Sequence, residues 1–399
     1  MTSLSTPDTT LGAPSTTRGG FLESWWAARS ASGPVSSALP DFPWDHLTAY
    51  GDRARAHPDG IVDLSVGTPV DPTPEVVQRA LSAAANAPGY PTTIGRADTR
   101  QACIDWLDRR FGVTGLGLDA VLPVVGSKEL IASMPTHLGL GERDLVVYPR
   151  LAYPTYEVGA RLAGARTRAT DALTSVGPER VAMVWVNSPS NPTGKVLPVD
   201  HLRKVVAWCR ERGALLVSDE CYLEMAWGSG DDERPVSVLH PDVCDGDHTG
   251  ILAVHSLSKR SNLAGYRCAF VAGDPEIVGE LLAVRKNLGL QMPAPQQAAM
   301  KAALDDDDHV TEQLVRYAAR RTALKAVLEG AGFRIDDSQG SLYLWATREE
   351  SCWATVSWFA DRGILVAPGE FYGPAGAQHV RVAFTATDER VAEAVRRLS

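Results

Sequence analysis

The sequence predicts an α/β fold: a large domain with a mostly parallel central sheet flanked by helices, plus a smaller α+β domain. From Asp63 onward, short apolar runs typical of strands buried on both faces alternate with amphipathic helical stretches. After about residue 290 this alternation gives way to a long helical stretch and then β-like runs. With 399 residues, 44% of them hydrophobic, the chain is long enough for two or three domains.

The elements can be assigned in order along the chain. The runs predicted as strands of the large sheet are VLPVV (121–125), DLVVYP (144–149), VAMVWVN (181–187), ALLVSD (214–219), ILAVHS (251–256) and CAFVAG (268–273). Helical patterns such as DHLRKVVAWCRERG and PEIVGELLAVRKN separate them. QQAAMKAALDDDDHVTEQLVRYAARRTALKAVLEG predicts a long helical stretch, in which the acidic run 305–308 is a solvated loop between helices. The strands SLYLWAT, GILVAPG and HVRVAFT follow it. We therefore expect a disordered tail over 1–38, a small domain over 39–66 and 287–399, and a large domain over 67–286.

Composition and charge exclude several classes of protein. The formal net charge of -9 disfavours nucleic-acid and anionic-membrane partners, which select clustered Lys and Arg. No apolar stretch approaches the ~20 residues that span a bilayer. The six cysteines lack C-x-x-C spacing and the nine histidines lack metal-ligand spacing, so no metal is predicted. The polar N-terminal residues carry no signal-peptide pattern, which together with the cysteine usage predicts a cytoplasmic protein.

Polar side chains follow the predicted strands at the point where each strand ends. Ser127 and Lys128 open a helix after the first strand, and free backbone N–H groups at a helix start favour an anion. The others are Asn191 in NSPSNPTGK, Asp219 and Tyr222 in SDECY, and Ser256, Ser258, Lys259 and Arg267 in HSLSKRSNLAGYR. Sheets of this kind bind ligands in the crevice outside the strand ends. An anion site, an amide, a carboxylate, a phenol and a lysine are therefore expected in one crevice.

This set of groups fits the chemistry of pyridoxal phosphate. A lysine forms a Schiff base with the cofactor aldehyde, and a carboxylate keeps the pyridine nitrogen protonated. Hydroxyls, a helix start and an arginine are suited to a phosphate. The sequence therefore predicts a pyridoxal-phosphate enzyme.

With these residues in place, the chain resembles the fold type I pyridoxal-phosphate aminotransferases of class I and II, from about Asp41 to Ser399. The order and spacing of Asn191, Asp219, Tyr222, Lys259 and Arg267 carry the resemblance. The segments DLSVGTPVDPTPE, PRLAYPTYEVGARLAG, NSPSNPTGK, SVLHPDVCDGDHTG and HSLSKRSNLAGYR are most similar to the actinobacterial N-succinyldiaminopimelate aminotransferases of lysine biosynthesis.

The resemblance implies a role for each matching residue of the cofactor site. Lys259 forms the Schiff base and moves the substrate proton, while Asp219 pairs with the pyridinium nitrogen. Asn191 and Tyr222 contact the ring oxygen, and Tyr153 stacks on the ring. A larger set of residues binds the phosphate. It consists of Ser127, Lys128, Ser256, Ser258, Arg267 and, from the neighbouring subunit of a homodimer, Tyr90.

The resemblance also implies the substrates. Arg381, helped by Gly67 and Asn191, binds the α-carboxylate of an amino or keto acid, and the amino group passes between glutamate and N-succinyl-LL-2,6-diaminopimelate. For the distal carboxylates we expect a second cationic or amide-rich patch, with Lys128, Arg96, Lys286, Asn287 and Gln291 as candidates.

Other functions stay open at this stage. Within the fold, the substrate is alternatively LL-diaminopimelate, an aromatic or branched amino acid or aspartate, or the enzyme is a carbon–sulfur lyase. A non-catalytic regulator on the same fold usually adds a DNA-binding module, for which the tail is too short and polar. Ser256-Leu257-Ser258-Lys259 also matches the S-x-x-K motif of serine acyl-enzymes, but the S-x-N and K-T-G partners are missing.

Overall fold

A computed structural model of the chain describes residues 35–228, 230 and 234–399. The chain divides into two compact units, Met1–Pro40 and Asp41–Ser399. In the first unit, the described residues contain a short 3-10 helix at Val35–Ala38. Most of the predicted disordered tail, residues 1–34, lies outside the described residues. The second unit contains the strands and α-helices of the described residues.

The strands of this unit have the following bounds in chain order. They are β1 (Val62–Asp63), β2 (Val121–Val125), β3 (Leu145–Tyr148), β4 (Arg166–Ala169), β5 (Val181–Asn187), β6 (Leu215–Asp219), β7 (Ile251–Ser256), β8 (Cys268–Gly273), β9 (Arg334–Asp336), β10 (Tyr343–Thr347), β11 (Ile364–Leu365), β12 (Ala367–Pro368) and β13 (His379–Ala383).

The helices alternate with these strands in the first two thirds of the chain. They are α1 (Thr48–Arg55), α2 (Glu75–Ala83), α3 (Ala97–Phe111), α4 (Ser127–His137), α5 (Thr155–Leu162), α6 (Val199–Arg212), α7 (Pro241–Cys244), α8 (Leu257–Arg260), α9 (Pro275–Leu288), α10 (Ala294–Asp305), α11 (Asp308–Gly330), α12 (Cys352–Ala360) and α13 (Asp388–Leu398).

The central sheet confirms the predicted fold class. It has seven strands in the order β2-β8-β7-β6-β5-β3-β4. The pairs from β7 through β4 are parallel, whereas β8 runs antiparallel to both β2 and β7. All six predicted strands are present, within one residue of the expected bounds at each end. The edge strand β4, with the sequence RTRA, carries no apolar run, and the sequence analysis missed it.

Both faces of the central sheet are covered by apolar cores, which explains its continuous apolar strands. Alternate strand residues point to opposite faces, so Val184 and Val186 pack in one core while Met183 and Trp185 pack in the other. Trp185 is fully buried and stacks on Tyr156 of α5, with ring centroids 4.8 Å apart.

A smaller sheet in the order β12-β13-β10-β9 and the pair β1-β11 surround a third apolar core. The acidic run separates two helices, as expected: Asp305 ends α10 and Asp308 begins α11. One sequence expectation needs correction here. GILVAPG forms two short strands, β11 and β12, that belong to different sheets.

No described helix is long and apolar enough to cross a membrane. The six cysteines all lie within the described residues and are free thiols.

A buried ion pair fastens the segment after β1 to helix α11. The Arg320 guanidinium donates two hydrogen bonds of 2.7 Å to Asp71, and its Nε donates to Asp388 at 2.6 Å. Arg320 and Asp71 side chains are only 3% and 9% exposed. Burial raises the pKa of Asp71, but hydrogen bonds from Arg320 and Gln313 outweigh it, so the pKa lies below its usual value.

Arg320→Met is expected to destabilise the protein by about 3 kcal/mol, because it leaves the buried Asp71 carboxylate without its cation. The pKa of Asp71 is lower in the folded than in the unfolded protein. The ion pair therefore stabilises the folded protein fully above the unfolded-state pKa, and this stabilisation is lost as the pH falls through the folded-state pKa. The difference in the free energy of unfolding between wild type and variant, measured by urea denaturation, should therefore become smaller at acidic pH. Arg316 is exposed on the same helix. An equal loss of stability in Arg316→Met would contradict the role of the buried ion pair.

Candidate active site

The strand directions bring the predicted site residues to one edge of the central sheet. Parallel strands β5, β6 and β7 end side by side, with Asn187 paired to Asp219 and Asp219 paired to Val254. Because β8 is antiparallel, its start lies at this edge, where Cys268 pairs with Val125 at the end of β2. Residues just before β8 therefore meet residues just after β2.

The edge opens into a cavity of about 540 Å³, a size typical of small-molecule sites. Tyr90 apart, every residue predicted to bind the cofactor or the α-carboxylate lines it. The lining includes Gly67, Ser127, Lys128, Tyr153, Asn191, Asp219, Tyr222, Ser256, Ser258, Lys259, Arg267 and Arg381, together with Phe42, Trp44, Val66, Thr68, Cys221, Ala264 and Tyr343.

An anion cradle forms where β2, β7 and β8 meet. Ser127 is the first residue of α4, so the helix start faces the cavity. The residue before it, Gly126, has a φ of +91°, and a Cβ there would lie 2.0 Å from Nη2 of Arg267. Only glycine lets the guanidinium approach this closely. Ser256 Oγ donates to Ser258 Oγ at 3.0 Å, which holds the two hydroxyls together.

The carboxylate of Asp219 lies at the buried end of the cavity. Burial raises its pKa, while hydrogen bonds from Cys221 and Tyr156 and the nearby Lys259 ammonium lower it in part. Tyr156 Oη donates to Oδ2 at 2.7 Å, and the Cys221 backbone N–H donates to Oδ1 at 3.2 Å. A carboxylate that is desolvated to this extent is suited to a cationic partner within the cavity.

Lys259 lies one residue from the end of the short helix α8, which directly follows β7. Its neighbour Arg260 fixes the helix from behind, with an ion pair to the buried Glu224 and a 2.7 Å hydrogen bond to the Ala303 carbonyl. The amine is half-buried and faces the cavity.

The smaller sheet contributes Arg381 from the middle of β13. The side chain is 3% exposed, donates to Asn191 Oδ1 at 2.9 Å and to the Ser65 carbonyl at 2.6 Å, and lies 4.0 Å from the Tyr343 ring centroid. Its Nε is buried and has no partner among the described residues. A buried guanidinium with an unused donor is suited to a carboxylate.

The phenols of Tyr222 and Tyr343 meet at 2.7 Å. Gly67 passes directly beside them, since a Cβ at this position would lie 2.2 Å from Tyr343 Oη. Tyr153 follows β3 in the chain and also lines the cavity. Burial raises its pKa to about 12.

The donor set fits pyridoxal phosphate. The glycine-bounded cradle suits a phosphate, the desolvated Asp219 suits a pyridinium, and Lys259 supplies an amine in the same cavity. Among the described residues, no three His, Cys, Asp or Glu side chains are placed to bind a metal ion.

Some predicted residues lie elsewhere. Tyr90 is 97% exposed and does not line the cavity. Of the candidates for the distal carboxylates, only Lys128 lines it. Arg96 pairs with its neighbour Asp98 at 2.7 Å, and Asn287 donates to the Ala283 carbonyl on its own helix.

Sequence reasoning missed several residues of the site. Tyr156 comes three residues after Tyr153 in LAYPTYE, and the sequence analysis assigned it no role. Tyr343 occupies an alternating strand that gave no sign of a cavity. Phe42 and Trp44 lie in the N-terminal stretch assigned to the small domain, and their sequence gives no chemical signal.

Comparison with known proteins agrees with this geometry. The profile of the family "Aminotransferase class I and II" matches residues 59–398. The chain is 64% identical over 372 residues to a probable aminotransferase of Mycobacterium tuberculosis, covering 93% of this chain and 88% of the relative. It is 60% identical over 361 residues to the 4-dedimethylamino-4-oxo-anhydrotetracycline transaminase of Streptomyces rimosus, covering 90% and 99%.

Solved structures share the fold. An aminotransferase from Neisseria meningitidis superposes with a TM-score of 0.81 at 30% identity, covering 91% of this chain and 97% of that one. A probable N-succinyldiaminopimelate aminotransferase from Thermus thermophilus gives a TM-score of 0.80 at 26% identity, covering 90% and 99%.

Tyr156→Phe is expected to raise the pKa of Asp219 further, because it removes a donor to the ionised form while keeping the ring stack on Trp185. Asp219 would then become protonated at a higher pH than in the wild type. The acid limb of the kcat/KM profile and the pH at which bound cofactor is released should both move upward. The half-buried Tyr148→Phe serves as the control and should move neither.

Proposed function

This chain belongs to the class I and II aminotransferases, and from that premise we propose that it exchanges an amino group between glutamate and the ketone corresponding to N-succinyl-LL-2,6-diaminopimelate. The observation that carries the proposal is one cavity containing both the Lys259 amine and the buried Arg381 guanidinium with an unused donor. The succinylated substrate is supported by the resemblance of the site segments and by the likeness to the Thermus protein. Lys128, exposed at the cavity, is the cation for a distal carboxylate.

In this proposal the residues divide the work between binding and proton transfer. Arg381 and Asn191 hold the α-carboxylate, which orients the α-carbon towards Lys259. Lys259 Nζ takes the proton from the α-carbon of the amino-acid substrate and, in the opposite half-reaction, gives a proton to the α-carbon of the amino acid that forms. Asp219 would hold the positively charged ring nitrogen of the cofactor. The cradle of Ser127, Ser256, Ser258 and Arg267 would bind the cofactor phosphate. Pyridoxal phosphate, when bound, supplies an aldehyde for the amino exchange and a ring that accepts the electron pair from the α-carbon.

A second substrate class is favoured by the aromatic side chains of the cavity. Phe42, Trp44, Tyr153 and Tyr343 all line it, and the Lys128 ammonium lies 5.6 Å from the Phe42 ring centroid. Flat aromatic bodies pack well on such walls. The Streptomyces relative is named for an anhydrotetracycline substrate, which fits a ketone on a fused-ring body.

We also propose that the active enzyme is a homodimer with shared sites. The support is Tyr90, whose aromatic side chain is 97% exposed and lies outside its own cavity. Contact with the phosphate of a neighbouring subunit would cover that ring.

Lys259→Ala is expected to lower turnover at least a hundredfold, the usual size of a lost general base. Borohydride reduction followed by mass spectrometry should attach cofactor covalently to the wild type but not to the variant. Circular dichroism should show an unchanged fold, and Lys325→Ala on the exposed face of α11 should retain full turnover. Covalent attachment in the Lys259→Ala variant would contradict the assignment.

The substrate is tested by single-turnover half-reactions of the holoenzyme. We expect N-succinyl-LL-2,6-diaminopimelate to react faster than LL-diaminopimelate, aspartate or phenylalanine, followed through the cofactor absorbance. Lys128→Gln should slow the succinylated substrate about tenfold, the cost of one charge-assisted contact, and leave phenylalanine unchanged. A preference for aromatic substrates, insensitive to Lys128→Gln, would favour the second class instead.

A further inference from the structure

A second cavity lies beside the loop that carries Asn191. Its volume is about 470 Å³, again within the range of small-molecule sites. Asn187, Ser190, Thr193 and Lys195 of the loop line this cavity, whereas Asn191 lines the active site. The two cavities therefore share one segment of backbone, and the second has no part in the function proposed above.

The floor of the second cavity is apolar. Val147, Val184, Val186 and Val205 are buried there, contributed by β3, β5 and α6, and the half-buried Trp208 ring also lines it. Such a surface favours a ligand with an apolar body, since burying apolar area is the dominant favourable contribution to binding.

The rim is charged, with a basic cluster on one side. His201 and Lys204 are exposed one helical turn apart on α6, and Lys195 follows the shared loop. His201, Lys204 and Lys195 all line the cavity. Burial and the nearby Lys195 and Lys204 lower the pKa of His201. Neither lysine forms a salt bridge with any carboxylate in the described residues.

The rim also contains two carboxylates, Asp171 and Asp337. Asp171 accepts a hydrogen bond from the Arg150 backbone N–H at 3.0 Å. Burial raises the pKa of Asp337, and the nearby Lys195 lowers it in part. Lys204, His201 and Lys195 are the basic side chains of the lining that can face an anion.

We propose that this cavity binds a small carboxylate with an apolar body, seated on the valine and tryptophan floor with its anionic head at Lys204, His201 and Lys195. The ligand would resemble an aromatic or medium-chain organic acid in its chemistry. Its binding is separate from the α-carboxylate site at Arg381, which lines the other cavity.

The shared loop couples the second cavity to the active site. Asn187 Oδ1 accepts a 2.7 Å hydrogen bond from the Asn191 backbone N–H, and Asn187 Nδ2 donates to the Asp219 carbonyl at 2.8 Å. A ligand that shifts Asn187 thus moves both a substrate-site amide and the strand end that bears the buried carboxylate. By linkage, substrate binding must then change the affinity for the carboxylate by the same factor.

Binding is tested with indole-3-propionate and its neutral amide on the holoenzyme labelled in the histidine rings. We expect the carboxylate to raise the pKa of His201 by NMR, because a nearby anion favours the imidazolium. The amide should bind about tenfold more weakly, and Lys204→Gln should weaken the carboxylate by a similar factor, since each removes a charge-assisted contact.

Two further variants keep the result specific. Thr174→Trp places a large ring at an exposed residue of the lining and should abolish the His201 response without touching the buried core. Lys325→Gln, a surface lysine on α11, should change nothing. Equal binding of acid and amide, or a His201 response that survives in Thr174→Trp, would overturn the proposed site.

The coupling is tested by calorimetric titration of the holoenzyme with indole-3-propionate, with and without saturating α-carboxylate substrate analogue. We expect the probe affinity to change severalfold in wild type and not in Asn187→Ser, which is too short to reach both partners. Site-specific binding with no change in affinity would overturn the coupling through Asn187.

Discussion

The site depends on keeping one buried carboxylate charged. Asp219 is only 5% exposed, and burial pushes its pKa upward. Hydrogen bonds from Tyr156 and from the Cys221 backbone oppose that shift, and the Lys259 ammonium adds a favourable charge. These contacts compensate the desolvation only in part. The remaining unfavourable free energy is best relieved by a cation in the cavity, as a protonated pyridine ring would be.

The surroundings of Asp219 follow from that requirement. Tyr156 must be stacked on Trp185 to aim its hydroxyl, so the apolar core on that face of the sheet fixes the polar end of the site. Asn187 ties the end of β5 to the end of β6 and supports the loop with Asn191. Asn191 in turn accepts from Arg381, so both sheets meet through a short chain of hydrogen bonds. A change at any link reaches the carboxylate.

The lining of the cavity comes from two parts of the fold. The strand ends supply the amine, the carboxylate and the anion cradle, which fit pyridoxal phosphate. Other walls come from Phe42, Trp44 and Tyr343, outside the central sheet. The shape of these walls is therefore set independently of the strand ends.

The sequence by itself determined the class of fold, the six apolar strands and the chemical identity of the strand-end residues. It succeeded because buried parallel strands require unbroken apolar runs and because each polar group directly follows such a run. It did not reveal β4, whose polar edge residues give no periodic signal. Only the tertiary structure decided that Tyr156 reaches Asp219, that the reversed β8 brings Arg267 to Gly126, and that Arg381 crosses from the small sheet to Asn191. Those contacts join residues far apart in sequence, and their geometry depends on packing that no local pattern records.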